Sequence, residues 1–183
     1  MTVTCSDELL ELVIAAMTAD KATAAGNQVF RPGDWPTQDG QYPRWKVRVP
    51  REVKVPLARS GPPEFIVTTT IRLIGEVSAP AEVNGAGAAK AEAQLWGLYH
   101  QFERAVIGSY PLEREIQQFA SVSAQLDYTS DAETHLAGIQ IDLALEWYQG
   151  PESFAPVQAD DVDQLDLSAS HYPPAGFSAR LNP

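Results

Sequence analysis

Alternating apolar and polar positions define two segments around which the rest of the chain is organised. In residues 64–77, one side of an extended chain carries Val67, Thr69, Ile71, Leu73 and Val77. Residues 138–148 alternate more regularly, with an apolar side of Ile139, Ile141, Leu143, Leu145 and Trp147. Because β-branched and aliphatic residues at a period of two suit a pleated surface with one buried face, both segments are predicted strands.

A helical pattern from about Ala88 to Ile107 separates these two strands. Its apolar residues recur at helical spacing and form one stripe of Ala91, Leu95, Leu98, Tyr99, Phe102 and Val106, which indicates a core-facing helix lying across the sheet. A second helix is predicted near the N-terminus, with Ser6 as its N-cap. Its apolar face comprises Leu9, Leu10, Leu12, Val13, Ala16 and Met17.

Weaker patterns predict the remaining strands. Residues 119–128 are expected to form a hairpin with 138–148, and Val29-Phe30 is either a short strand or the start of a loop. In residues 45–57 one side is apolar and the other basic, with Trp45, Val47, Val49, Val53, Val55 and Leu57 expected on the apolar side. Pro50 interrupts this run, so it is an edge strand or two strands meeting at a bend. Residues 45–77 would then form one hairpin with its tip near 50–63.

These elements predict an α+β fold. We expect an antiparallel or mixed β-sheet with a long helix packed on one face, an N-terminal helix and a long protruding hairpin. Residues 1–150 are sufficient for one such domain. Residues 151–183 hold five prolines and no regular pattern, which predicts an extended tail that is disordered or ordered only against another subunit. That tail carries Asp160, Asp161, Asp163 and Asp166.

The distribution of charge is more informative than its formal total of −11. Residues 1–108 hold 11 Lys and Arg against 12 Asp and Glu, whereas residues 109–183 hold 2 against 12. Within the first part, residues 44–59 are strongly basic and contain Arg44, Lys46, Arg48, Arg51, Lys54 and Arg59. One interpretation is a pair of complementary surfaces that join neighbouring copies of the chain. The other is an edge strand kept in solution by its charges.

The sequence offers no pattern typical of catalysis. His100, His135 and His171 each lack a second ligand at metal-binding spacing, and no glycine-rich phosphate loop is present. We therefore expect no enzyme, no metal and no cofactor. Residues 1–8 lack a basic region followed by an apolar stretch, so we expect no secretory signal there, and no apolar run reaches membrane-spanning length. The single cysteine, Cys5, fits synthesis in a reducing cytoplasm.

The order of these features resembles the tail terminator proteins of long-tailed bacteriophages. The resemblance spans roughly residues 6–150 and rests on element order together with the stretch Gly26-Asn-Gln-Val-Phe-Arg-Pro-Gly-Asp-Trp-Pro36. It implies a structural virion protein, made in the host cytoplasm, that forms a hexameric ring on the head-proximal end of the tail tube. Such a ring stops tube polymerisation and presents a joining surface to the head-side connector.

The resemblance also implies partners and contact surfaces. The partners are further copies of the chain, the tube protein, the connector or neck protein and, in a contractile tail, the sheath, while DNA passes through the lumen without specific binding. The resemblance supplies no individual contact residues. The charge distribution makes Arg44, Trp45, Lys46, Arg48, Arg51, Lys54 and Arg59 candidate subunit or partner contacts, and Asp160, Asp161, Asp163 and Asp166 candidate acidic lumen or tail contacts. Two alternatives stay open: another neck, head-completion or minor tail protein, and a nucleic-acid-binding module that uses the basic residues 44–59.

Overall fold

Five strands build one mixed sheet. In a computed structural model that describes residues 3–32, 41–80, 82, 86–131 and 134–155, the strands are β1 (Val29–Phe30), β2 (Arg44–Pro56), β3 (Phe65–Pro80), β4 (Gln118–Asp131) and β5 (Thr134–Gln149). Their order across the sheet is β1-β2-β3-β5-β4. The β1–β2 pair is parallel and the other three pairs are antiparallel. The predicted hairpin of β4 with β5 is confirmed.

The helices lie on one face of this sheet. They are α1 (Ser6–Thr18), α2 (Ala86–Phe102), which continues into a π-helical turn (Glu103–Ile107), and α3 (Tyr110–Glu113); short 3-10 turns cover Ala19–Lys21 and Pro151–Phe154. Helix α2 packs on β3 and β5, as its apolar stripe predicts, and α1 lies against β2. The described residues up to Ser153 belong to one compact unit. The predicted α+β fold is therefore confirmed.

The alternation in β3 and β5 decides which sheet face meets the helices. In β3 the odd-numbered residues from Val67 to Ala79 are buried, and the even-numbered residues are half-buried. Residues 137–147 of β5 repeat this pattern. Because directly paired residues of antiparallel strands share a face, the even-numbered residues of both strands lie on the opposite side. We call this side, which none of the described helices covers, the open face.

The predicted N-cap of α1 is wrong. Cys5 occupies the N-cap position, while Ser6 begins the helix and is buried. The Ser6 hydroxyl lies 2.6 Å from Thr69 Oγ1, which accepts a 2.9 Å hydrogen bond from the Trp147 indole. Ser6 therefore joins the start of α1 to the two central strands, and the hydroxyl that the sequence assigns to a cap is used inside the core instead.

A β-bulge reverses the faces of β2 halfway along the strand. Arg48 pairs with Arg72 but Arg51 pairs with Thr70, so Val49 and Pro50 together stand opposite Ile71 alone. A bulge that adds one residue shifts every later side chain to the other face. The expectation that Val53 and Val55 continue the side of Trp45 and Val47 is therefore wrong. Both valines lie on the open face.

Candidate assembly surface

Charged residues of opposite sign face one another across the open face. Strand β2 contributes Arg44, Lys46, Arg48 and Arg51, and the neighbouring strands contribute Arg72, Glu76, Asp142 and Glu146. Arg44 Nε lies 2.5 Å from one carboxylate oxygen of Glu76, and Lys46 Nζ lies 2.7 Å from the other. The Arg44 guanidinium also lies 4.5 Å from the centre of the Tyr42 ring. Two cations of the basic segment are thus held within the sheet.

A bidentate ion pair joins the two central strands on the same face. Arg72 Nε and Nη2 donate to the two carboxylate oxygens of Asp142 at 2.7 and 2.8 Å. These hydrogen bonds hold the pKa of Asp142 below its usual value, and the positive charge of nearby Arg48 acts in the same direction, while burial opposes both. Asp142 is therefore a carboxylate at neutral pH and a fixed cross-strand partner of Arg72.

Asp142→Asn is expected to lower the free energy of unfolding by about 1 kcal/mol at pH 7, because the pair is only partly shielded from solvent. A carboxyl group whose pKa is depressed by folding stabilises the protein at any pH above its unfolded value, and that contribution is lost as the pH falls through the folded value. The difference between the parent and the variant should therefore shrink in acid. Urea titrations from pH 7 to pH 3 measure it, with the exposed Glu92→Gln as a control that shows no such trend.

The remaining basic residues have different environments. Lys54 lies on the helix side, where Nζ is 2.7 Å from Gln149 Oε1 and 3.3 Å from Glu52 Oε1. Glu52 in turn accepts a hydrogen bond from Ser6, so Lys54 belongs to a polar cluster that ties β2 to α1 and β5. Arg51 is exposed on the open face, and Arg59 is exposed in the loop 57–64. Lys54 is exposed as well, but its ammonium group contacts Gln149 and Glu52, so among the described residues Arg51 and Arg59 are the candidates most available to a partner.

Two of the predicted contact residues are buried in the described part of the chain. Trp45 is completely buried beneath α2, with its ring centroid 6.0 Å from that of Phe102, and Arg44 is only 6% exposed. Trp45 lies on the helix side of β2, whereas Arg44 lies on the open face, where it is held against Glu76 and the Tyr42 ring. The acidic candidates Asp160, Asp161, Asp163 and Asp166 lie outside the described residues.

The sequence interpretation missed an apolar patch at the far end of the β2–β3 hairpin. Val53, Val55 and Leu57 are 37%, 57% and 52% exposed. Val55 pairs with Ile66, which pairs in turn with Tyr148, itself 39% exposed, so an apolar row crosses three strands of the open face. We call Val53, Val55, Leu57, Ile66 and Tyr148 the hairpin patch. Pro50 was the sequence signal for this change of face, because a proline inside an alternating run often marks a bulge.

A shallow depression of about 580 Å³ lies at the other end of the open face. Its lining residues include Tyr42, Arg44, Glu76, Asp127 and Gly138, and Gly138 has no side chain to fill it. Among the described residues no group of three or more His, Cys, Asp or Glu is placed to hold a metal ion. Within the same ranges no helix has the length and apolar character needed to cross a membrane.

No protein-family model matches this chain, and no curated protein matches its sequence.

Proposed function

We propose that this protein is a structural virion protein of the tail terminator type. It assembles with further copies of itself as a ring on the end of a tail tube, stops tube polymerisation and forms the joining surface to the head-side connector. DNA passes through the lumen without specific binding. The observation that carries this proposal is the hairpin patch, an apolar surface that ends a charged, extended hairpin and has no covering layer among the described residues.

The composition of the hairpin patch favours a protein partner. Soluble proteins leave single apolar residues exposed at many places, but clustered exposed aliphatic and aromatic residues mark contact surfaces. Here three exposed aliphatic residues follow one another at every second position and meet an exposed tyrosine across the sheet. Arg51 and Arg59 border this region, so the patch has an apolar centre and a charged margin, which is the usual composition of a protein interface.

The ion pairs of the open face weigh against the nucleic-acid-binding alternative. Phosphate recognition depends on cations that are free to neutralise phosphates, which releases the counterions condensed on the nucleic acid. Arg44, Lys46 and Arg72 instead contact carboxylates of the same sheet at 2.5 to 2.7 Å. Within residues 44–59, Arg44 and Lys46 therefore share the carboxylate of Glu76 on the neighbouring strand.

Val55→Asp is expected to weaken ring assembly by about tenfold or more, because a buried unpaired carboxylate at an interface centre is costly. Light scattering of the full chain, alone and with tube protein, measures the ring and its attachment to tubes. Ala15→Asp, at an exposed position of α1, introduces the same charge away from the hairpin patch and should leave assembly unchanged. A parent chain that never forms a ring and never caps a tube would refute the proposed function.

A further inference from the structure

The two edges of the sheet are protected very differently. At the β2 edge, Val29 and Phe30 of β1 pair with Trp45 and Lys46. The rest of that edge carries the bulge at residues 49–50, the prolines Pro50 and Pro56, and the charged residues Arg51, Glu52 and Lys54. Bulges, prolines and charged side chains are the features by which natural sheets prevent another strand from pairing. These features therefore prevent a further strand from pairing with the far half of β2.

Strand β4 forms the opposite edge and has much less of this protection. In the part of the chain that the structure describes, β4 pairs with β5 alone. Its register is interrupted once, between Phe119 and Ser121, and is regular from Ser121 onwards. The stretch Ser121-Val-Ser-Ala-Gln-Leu-Asp127 contains no proline, no lysine and no arginine, and its single charge is at the end. A long, almost uncharged edge exposes backbone donors and acceptors to any strand that can align with it.

We infer that β4 pairs antiparallel with β4 of a second copy of this chain, about a two-fold axis at Ala124. This register places Val122 of one copy opposite Leu126 of the other, and Ser121 opposite Asp127. Antiparallel pairing keeps the two Asp127 carboxylates at opposite ends of the seam, so no like charges face each other. The same surface on both copies is self-complementary, as a two-fold interface requires.

Burial along β4 agrees with this register. Val122 and Leu126 pair with Leu143 and Ile139 of β5 and so lie on the helix side of the sheet, where both are only half-buried. Helix α2 packs on β3 and β5, which leaves β4 at the margin of the helix layer. In the paired form each valine covers the leucine of the other copy, and the two small Ala124 side chains let the strands approach at the axis.

This inference is independent of the proposed function. Strand order places β4 at one edge of the sheet and the β2–β3 hairpin toward the other, so pairing through β4 does not use the hairpin patch. A chain that pairs through β4 but never caps a tube would overturn the proposed function alone. A chain that forms rings but whose β4 edge takes no partner would overturn this inference alone.

Charge substitutions at the axis test the pairing. Ala124 lies on the proposed two-fold axis, so Ala124→Lys and Ala124→Glu each place two like charges face to face across the seam. Ala124 is exposed, and its partner on β5 is the apolar Ile141, which carries no charge that could pair with the new side chain. Each variant alone should dimerise at least about tenfold more weakly than the parent chain. An equimolar mixture of the two should recover the dimer, because the introduced ammonium then faces the introduced carboxylate. Sedimentation velocity of the full chain measures all three samples.

Two further measurements keep the test decisive. Ala93→Lys, at an exposed position of α2, is the matched control and should dimerise as the parent does. Amide hydrogen exchange of residues 121–127 in the parent should slow as protein concentration rises, whether or not the Ala124 variants fold. A parent that stays monomeric, a mixture that recovers no dimer, or β4 amides equally protected at every concentration would each overturn the inference.

Discussion

Phe102→Ala should lower the free energy of unfolding by about 3–5 kcal/mol, the range found when a buried phenylalanine is truncated in a packed core. Phe102 is fully buried at the last position of α2. Its ring lies 6.0 Å from that of Trp45 on β2 and stacks at 6.2 Å on that of Tyr99. The substitution opens a cavity between helix and sheet that these two large, constrained rings cannot fill by a small movement.

Urea unfolding followed by tryptophan fluorescence measures this loss. The matched control is Tyr110→Ala, which removes an aromatic ring of similar size from a site that is 68% exposed. That change should stay within about 0.5 kcal/mol of the parent, as surface substitutions usually do. A Phe102→Ala variant as stable as the Tyr110→Ala control would show that α2 is not packed on the sheet in this way.

The Phe102 contact is also an example of what the sequence predicts well. Long segments with one strong period are predicted reliably, because apolar residues recur many times on the side that is buried. The stripe of α2 and the alternation of β3 and β5 are of this kind, and their residues Leu95, Ile71 and Leu143 are all fully buried. The α+β class followed from these three elements together.

The far half of β2 shows where the same reasoning fails. A period-two pattern assigns faces only while the register is unbroken, and one added residue inverts everything after it. Pro50 signals an interruption, but it does not say whether the strand ends, bends or continues through a bulge. The strand continues, so Val53 and Val55 lie on the face opposite to that of Trp45. The apolar residues of β2 in the hairpin patch were therefore recognised from the sequence but assigned to the wrong face of the sheet.

Partners distant in sequence account for the rest of the difference. Arg72 and Asp142 are 70 positions apart, and nothing local to either residue indicates their bidentate pairing. The same holds for Glu76, whose single carboxylate contacts both Arg44 and Lys46 from the next strand. Because sequence periodicity gives faces but not registers, the basic residues 44–59 looked more available to an external partner than they are. Arg51, Lys54 and Arg59 are the exposed candidates, and Lys54 contacts Gln149 and Glu52.

Gly75→Ala should lower the free energy of unfolding by about 1–3 kcal/mol through overpacking. An added Cβ would lie 2.7 Å from Cζ3 and 2.9 Å from Cη2 of Trp45, and 3.0 Å from a methyl group of Ile139. Gly138→Ala is a matched control on the adjoining strand, because its nearest neighbours would lie 3.7 and 3.9 Å away. That control should keep or slightly raise stability, since alanine reduces the conformational entropy of the unfolded chain.

A double-mutant cycle with Trp45→Phe separates this clash from any other effect of the methyl group. Phenylalanine lacks the outer ring atoms that the new Cβ would meet, and it loses no described hydrogen bond, because Trp45 Nε1 has no partner among the described residues. Trp45→Phe alone should destabilise the protein by leaving a cavity beside Gly75. In the double variant the alanine methyl group partly fills that cavity, so the combined loss should be smaller than the sum of the single losses by about 0.5–3 kcal/mol. Additive losses would show that the indole of Trp45 does not lie over Gly75, and the placement of β2 against β3 would then be wrong at this point.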